Sequence, residues 1–179
     1  MLGKYRILTI THRETTLDNL SHFVIKSESP DEVQQQLLQI KQSFEIDEML
    51  YLATCNRVMF LFHSEENISS DFIHRFFNMV NPNMPAAIRS TLPEIVSQYV
   101  GQDAIGHLFG VASSTDSMVI GEREILRQLR QAYEQCLNWQ LTGDFIRLAM
   151  RFAVEAAKGV YANTRIGEKS ISVASLAIQ

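Results

Sequence analysis

The stretch Leu52-Ala53-Thr54-Cys55-Asn56-Arg57 places a thiol, an amide and a guanidinium on three consecutive residues. Apolar runs at residues 49–53 and 58–62 flank this stretch, and each has the composition of a buried strand. Because the two runs are so close in sequence, they predict a β-hairpin with residues 54–57 at its bend. Cys55 is therefore expected at the edge of a sheet.

The chemistry of Cys55 depends on its surroundings. A cysteine attacks as its thiolate, so a reactive cysteine needs partial exposure and nearby positive charge, which Arg57 can supply two residues further on. Free cysteine is also among the most buried residue types, so a purely structural thiol is the alternative. The hairpin by itself leaves both interpretations open.

The composition is that of an ordinary globular protein, with 46% hydrophobic and 20% charged residues, and allows one large or two small domains. The two cysteines lie far apart and form no CxxC, and the five histidines form no HExxH, so no metal site is predicted. We expect reduced thiols and a cytoplasmic location. No apolar run approaches the thickness of a bilayer, so no membrane association is expected.

The formal net charge of −4 argues against a general nucleic-acid-binding protein, which would have a basic surface. The charge is uneven, because residues 1–100 hold 8 Lys+Arg and 12 Asp+Glu, whereas residues 101–179 hold 8 of each. Arginines on predicted helices of the second part could contact a polynucleotide, or they could lie on solvated helix faces. They are Arg123, Arg127, Arg130, Arg147 and Arg151.

The order of predicted elements indicates the fold of the first hundred residues. Alternation over Tyr5–Thr11 predicts a strand, and Ser29-Pro30-Asp31-Glu32 opens a helix before the hairpin. A second helix follows over Ser70–Val80, and residues 92–100 can provide a fourth strand. The resulting order, βαββαβ, is the ferredoxin-like arrangement, with a small antiparallel sheet and two helices on one side.

The remainder is predicted to be helical, which makes the chain an α+β protein. Helical periodicity extends over residues 101–113, 122–139 and 142–161, and a further helix begins within 170–179 without a cap. Cys136 lies on the apolar face of the second of these helices. It is therefore predicted to be a packed core thiol.

Several short motifs follow one another along the chain: Thr11-His12-Arg13; Thr54-Cys55-Asn56-Arg57; His107-Leu108-Phe109 with Val111-Ala112; Asp116-Ser117-Met118-Val119-Ile120-Gly121-Glu122 with Ile125-Leu126 and Gln128; and Thr164-Arg165-Ile166-Gly167 with Ser172-Val173. Taken in this order, they resemble the N-terminal domain of glutamyl-tRNA reductase. The resemblance covers nearly the whole chain, and the ordered set is specific although each motif is short. It favours Cys55 as a nucleophile.

The resemblance implies a reaction. The family reduces the ester of glutamyl-tRNA to glutamate-1-semialdehyde with NADPH, at the start of tetrapyrrole (porphyrin) synthesis. Cys55 would attack the ester carbonyl, release the tRNA and retain the glutamyl group as a thioester, which hydride then converts to the aldehyde.

The resemblance also implies roles for other residues. Arg57 would grip the glutamate carboxylate by two parallel hydrogen bonds, with Thr54 and Asn56 as neutral partners. His107 matches a histidine needed for activity in the family, as proton donor or acceptor near the leaving tRNA hydroxyl; the alternative is a helix histidine packed beside its neighbours. The other residues implied to line the substrate pocket are Ser117, Glu122, Arg123, Glu124 and Gln128.

Some positions depart from the family pattern. Met59 stands where the family usually has glutamate, and Gly110 stands where it usually has arginine. The sequence Glu122-Arg123-Glu124 replaces the usual Glu-Pro-Gln, which leaves the roles of Arg123 and Glu124 open.

No cofactor site is predicted within the chain, because none of its eight glycines forms GxGxxG and no alternating βα pattern remains. We expect a catalytic domain over residues 1–165, with a ferredoxin-like part to about 100 and a helical part from about 101. Residues 166–179 would begin the helix that leads to a separate NADPH domain. The resemblance implies glutamyl-tRNA as substrate, a homodimer formed by a further C-terminal domain, and glutamate-1-semialdehyde aminomutase as a candidate partner.

Two other functions are compatible with the residues alone. One is a tRNA-binding or regulatory module in which Cys55 is structural, and the other is a stand-alone thiol esterase.

Overall fold

The structure is a computed structural model that describes residues 2–117 and 121–167. In these residues, strands β1 (Tyr5–Thr11), β2 (Glu48–Ala53), β3 (Arg57–His63) and β4 (Ser97–Val100) form an antiparallel sheet in the order β2-β3-β1-β4. The helices are α1 (Leu17–Leu20), α2 (Pro30–Ser43), α3 (Ser70–Val80), α4 (Ala86–Ser90), α5 (Leu92–Ile95), α6 (Gln102–Ala112), α7 (Glu124–Asn138) and α8 (Asp144–Asn163). The helix expected within residues 170–179 lies outside the described residues.

The connections of the sheet confirm the predicted ferredoxin-like order. Helix α2 links β1 to β2, a hairpin joins β2 to β3, and α3 with the short helices α4 and α5 links β3 to β4. Helix α2 begins where the sequence predicts, because Ser29 Oγ accepts the backbone N–H of Glu32 at 3.3 Å and Pro30 opens the first turn.

The predicted strand over residues 92–100 is wrong in its first half. Leu92–Ile95 forms α5, and only Ser97–Val100 pairs with β1. A short apolar run does not distinguish a strand from a buried helical turn. Pro93 in the first turn favours the helix, and the fully buried Leu92 anchors it in the core.

Both faces of the sheet are covered by helices. Leu8 of β1 joins a core with α2 and α3, whereas its neighbour Ile7 joins a second core with α6, α7 and α8. The sequence predicted helices on one side only, and the later helices supply the second side, which gives three layers. Even the polar Thr9 is buried, and its Oγ1 donates to the carbonyl of Val58 at 3.0 Å.

Glu48 joins the edge strand β2 to the start of α8. Its buried carboxylate accepts the backbone N–H groups of Phe145 at 3.1 Å and Ile146 at 2.8 Å. A negative charge is favourable here because the first N–H groups of a helix lack intrahelical partners and the helix dipole is positive at this end. Gly143 leaves the necessary space, since a Cβ at that position would lie 2.6 Å from Glu48 Oε1.

The substitution Glu48→Gln is expected to lower the free energy of unfolding by about 1–3 kcal/mol, because the amide keeps one acceptor and loses the charge. Urea denaturation measures the change. Glu134→Gln, at an exposed position of α7, is the matched control and should leave stability close to wild type. Equal unfolding curves for the two variants would show that the cap does not stabilise the fold.

Candidate active site

The hairpin between β2 and β3 forms as predicted, with Cys55 exposed at its tip. The N–H of Thr54 donates to the carbonyl of Arg57 at 2.8 Å, and Thr54 Oγ1 accepts the N–H of Asn56 at 3.3 Å. The N–H of His12, just after β1, donates to the carbonyl of Asn56 at 3.1 Å. The tip that holds the thiol is therefore fixed both by its own turn and by the adjacent loop.

Cys55 lies on the wall of a cavity of about 480 Å³. The wall is formed by the hairpin tip, by the loop after β1 with α1, and by Ser117 and Glu122 together with the start of α7. Eight of the ten residues predicted for catalysis or substrate binding line the cavity. They are Thr54, Cys55, Asn56, Arg57, Ser117, Glu122, Glu124 and Gln128; His12, Leu17 and Ile125 also line it and were not predicted.

Arg57 contributes to the cavity wall although it is only 5% exposed. Its Nη2 donates to Asp116 Oδ2 at 2.9 Å and to the Asp116 carbonyl, and its Nη1 lies 3.2 Å from His107 Nε2. Asp116 Oδ1 also accepts from Arg13 Nη1 at 2.9 Å, so one carboxylate serves two guanidinium groups. Such pairing is required because a buried charge without a partner is strongly destabilising.

Asp116 is a site residue that sequence reasoning did not select. It is the first residue of the motif over residues 116–122, but no local spacing pairs it with Arg57, which is 59 residues away. The only signal in the sequence is general: an arginine next to a buried strand needs a counter-ion. The end of α6 holds the Asp116 loop in place, because the carbonyl of Gly110 accepts the N–H groups of Thr115 at 3.0 Å and Asp116 at 3.3 Å.

His107, on α6, is not among the described residues that line the cavity and lies behind Arg57. Its ring stacks on that of Tyr99, with centroids 4.1 Å apart. Burial, and next the positive charge of Arg57, lower the pKa of His107 to about 4, although Asp116 and Glu14 act in the opposite direction. The ring is therefore neutral at neutral pH.

The tautomer of His107 follows from its partners. An arginine can only donate hydrogen bonds, so His107 Nε2 accepts from Arg57 and the proton lies on Nδ1. That Nδ1 is 3.8 Å from Asp116 Oδ2. The geometry makes His107 a residue that orients the guanidinium.

Arg123 lies at the start of α7, away from the cavity. The residue is exposed, and its guanidinium carbon is 5.2 Å from the centroid of the Tyr161 ring. Glu124 lines the cavity and also accepts from Arg127 Nε at 2.9 Å. Arg123 and Glu124 both depart from the family pattern, but only Glu124 lies on the cavity wall.

Two polar side-chain atoms at the cavity, His12 Nδ1 and Ser117 Oγ, are buried and have no hydrogen-bond partner among the described residues. Leaving such a group unpaired costs about 1–3 kcal/mol. Native structures contain few such groups, and each of them calls for an explanation, of which a functional role is one. Their position on the same cavity as an exposed thiol favours a cavity that binds a polar ligand.

Comparison with known proteins identifies the family. The sequence model described as Glutamyl-tRNAGlu reductase, N-terminal domain, matches residues 8–164. The chain belongs to this family. It is 34% identical over 175 residues to Glutamyl-tRNA reductase of Campylobacter lari and 30% identical over 173 residues to that of Syntrophus aciditrophicus; each alignment covers 97% of this chain.

A solved structure, Glutamyl-tRNA Reductase from Methanopyrus kandleri, superimposes on 98% of the chain with a TM-score of 0.74 and 26% sequence identity. The resemblance seen in the sequence motifs is thus confirmed. The chain spans 39% of the Campylobacter protein, 40% of the Syntrophus protein and 39% of the Methanopyrus chain.

The departures from the reductase pattern have a place in the structure. Met59 is fully buried in the core between the sheet and helices α6, α7 and α8, where an apolar side chain fits. Gly110 holds the loop that contains Asp116 through its carbonyl, a contact that needs no side chain. Neither position lines the Cys55 cavity among the residues described.

Cys136 is buried, whereas Cys55 is exposed. Cys136 is 1% exposed, the backbone N–H of Tyr51 donates to its sulfur at 3.4 Å, and burial raises the pKa of the thiol to about 11. The predicted core thiol is confirmed.

In residues 2–117 and 121–167, no three side chains of the ligating types are grouped so that they could hold a metal ion. None of the helices in that part of the chain is both long enough and apolar enough to cross a bilayer.

The pH dependence of stability should reflect His107. Its pKa is about 4 in the folded chain against an ordinary value of 6.5, so the unfolded chain binds the proton first as the pH falls. The resulting stabilisation of the folded state is fully present above about pH 6.5 and declines by up to about 3 kcal/mol as the pH falls to about 4.

Urea unfolding at several pH values tests this expectation. His107→Gln should show a smaller decline over that interval than wild type, whatever its stability at neutral pH, whereas His74→Gln on α3 should follow wild type. Parallel curves for wild type and His107→Gln would contradict the assignment of a neutral, buried His107.

Proposed function

We propose that the cavity binds the glutamyl group of glutamyl-tRNA and that Cys55 takes over this group as a thioester. The proposal depends on one observation: an exposed thiol lies on a cavity whose wall includes a buried, charge-paired guanidinium. A thiolate attacks an ester carbonyl, and a guanidinium recognises a carboxylate. Both ends of a glutamyl group thus meet a suitable partner.

Arg57 is placed to hold the side-chain carboxylate of the glutamyl group. A guanidinium has five N–H donors, and Asp116 and His107 occupy three of Arg57's donors. These contacts orient the group before the substrate arrives, which reduces the entropy lost on binding. Thr54 and Asn56 line the same cavity and offer neutral hydrogen-bonding groups.

The other charges on the wall suit the rest of the substrate. Glu122 and Glu124 supply negative charge at the start of α7, and the α-ammonium group of a glutamyl ester is positive. Gln128 and Ser117 supply neutral polar groups beside them. A ligand with a carboxylate at one end and an ammonium group at the other would therefore bind in one orientation.

The reaction follows from these positions. Attack by Cys55 forms a C–S bond and breaks the C–O bond to the terminal ribose, which releases the tRNA. When bound, NADPH would supply the hydride that converts the thioester to glutamate-1-semialdehyde, the precursor for tetrapyrrole synthesis, and Cys55 would leave as its thiolate. The chain has no GxGxxG turn, so we assign NADPH binding to a separate domain of the reductase.

Dimerisation through a further domain, docking of glutamate-1-semialdehyde aminomutase and a cytoplasmic location stay predictions.

Incubation with glutamyl-tRNA radiolabelled in the glutamate should label the wild-type chain, and hydroxylamine should remove the label, as expected for a thioester. Cys55→Ser should stay unlabelled, because serine is a poor nucleophile without an adjacent base. Cys136→Ala is the matched control and should label like wild type. Absence of label on folded wild type, or equal labelling of Cys55→Ser, would disprove the transfer.

Arg57→Lys should slow glutamyl transfer at limiting substrate by about 10- to 100-fold, because lysine keeps the charge but has only three N–H donors, the number that Asp116 and His107 already occupy in Arg57. Arg13→Lys is the control: Arg13 also pairs with Asp116 but is not among the described residues on the cavity wall. Single-turnover rates and melting temperatures should be measured together. Equal rates of glutamyl transfer in the two variants would show that Arg57 does not recognise the substrate.

A further inference from the structure

His12 lies on the wall of the Cys55 cavity, at the end of the loop that follows β1 closest to the sheet. We propose that His12 is the proton-transfer residue of the thioester-forming step: it accepts the Cys55 proton and returns it to the leaving ribose oxygen. This inference rests on the proposed transfer of a glutamyl group to Cys55.

The step requires such a residue for two reasons. A thiol must lose its proton before it attacks, and the ribose oxygen that leaves must gain one, because an alkoxide is a poor leaving group. Histidine is suited to both tasks, since its ordinary pKa lies near neutrality. A single imidazole can perform them in turn.

His107 is poorly placed for this role. Its Nε2 is occupied by Arg57, its Nδ1–H faces Asp116, and the ring is not on the cavity wall among the residues described. Transfer of a proton through His107 would require that it first release the guanidinium that the glutamate needs.

His12 meets the requirements that His107 does not. His12 shares the cavity wall with Cys55, and its backbone N–H donates to the carbonyl of Asn56, the residue after the thiol. This bond couples the position of the imidazole to the hairpin tip. Its Nδ1 is buried without a hydrogen-bond partner among the described residues, so the ring is not a core histidine whose hydrogen bonds are satisfied by its neighbours.

The proton balance closes without any further reactant. Cys55 and neutral His12 become thiolate and imidazolium, the thiolate forms the C–S bond, and the C–O bond to the ribose breaks. The imidazolium proton goes to the ribose oxygen, which leaves neutral His12 and a free tRNA hydroxyl. The other ionisable groups on the cavity are Arg57, Glu122 and Glu124, and those adjacent to His12 in sequence are Arg13 and Glu14.

The experiment compares two glutamyl donors on the wild-type chain and on His12→Gln: glutamyl-tRNA, and the α-p-nitrophenyl ester of glutamate, whose leaving group needs no proton. With glutamyl-tRNA, His12→Gln should slow single-turnover labelling of Cys55 by about 100-fold or more, whereas with the p-nitrophenyl ester the two proteins should agree within about tenfold. His74→Gln is the matched control and should behave like wild type with both donors.

A second readout follows alkylation of Cys55 by iodoacetamide as a function of pH, which needs no glutamyl donor. The wild-type thiol should react at lower pH than in His12→Gln, because the imidazolium stabilises the thiolate. Equal slowing of both donors in His12→Gln would overturn the return of the proton to the ribose oxygen. No slowing of either donor, or identical alkylation profiles for the two proteins, would overturn the proposal as a whole.

The proposed function and this inference can fail separately. If wild type takes glutamate from neither donor, the glutamyl transfer itself is disproved. The alkylation profiles would still test whether His12 accepts the Cys55 proton. Identical profiles for wild type and His12→Gln would overturn this inference as well.

Discussion

The ion pair between Arg57 and Asp116 joins the parts of the chain that make the cavity. Arg57 lies where the hairpin enters β3, and Asp116 lies in the loop after α6. Through the same carboxylate, Arg13 draws in the loop after β1, and His107 completes the surroundings of the guanidinium. Because a buried guanidinium must be paired, these segments cannot separate without a large cost in free energy.

The sheet that supports this pair is covered on both faces, which limits where chemistry can occur. Side chains within the central strands β1 and β3 are buried whichever way they point, so a reactive group supported by these strands must lie at a strand end or in a loop. The hairpin tip satisfies this need, because it is held by backbone hydrogen bonds and still exposes Cys55. A rigid support for an exposed thiol favours precise positioning of a substrate.

Sequence reasoning was accurate where the signal is local. The hairpin with its thiol, the cap of α2 and the packed Cys136 each depend on neighbouring residues or on a single periodicity. It failed at Leu92–Ile95, because a short apolar run suits a strand and a buried helical turn equally well. It gave no means of separating Glu124, which lines the cavity, from the adjacent Arg123, which does not.

The sequence by itself determined the order of elements, the family and the position of the Cys55 thiol at a bend, because these follow from local pattern and from ordered motifs. Only the tertiary structure decided which residues meet across the chain: the helices on the second face of the sheet, Asp116 as the partner of Arg57, and His12 rather than His107 on the cavity wall. The physical reason is that burial, charge pairing and cavity shape depend on contacts between residues far apart in sequence, which no periodicity or spacing encodes.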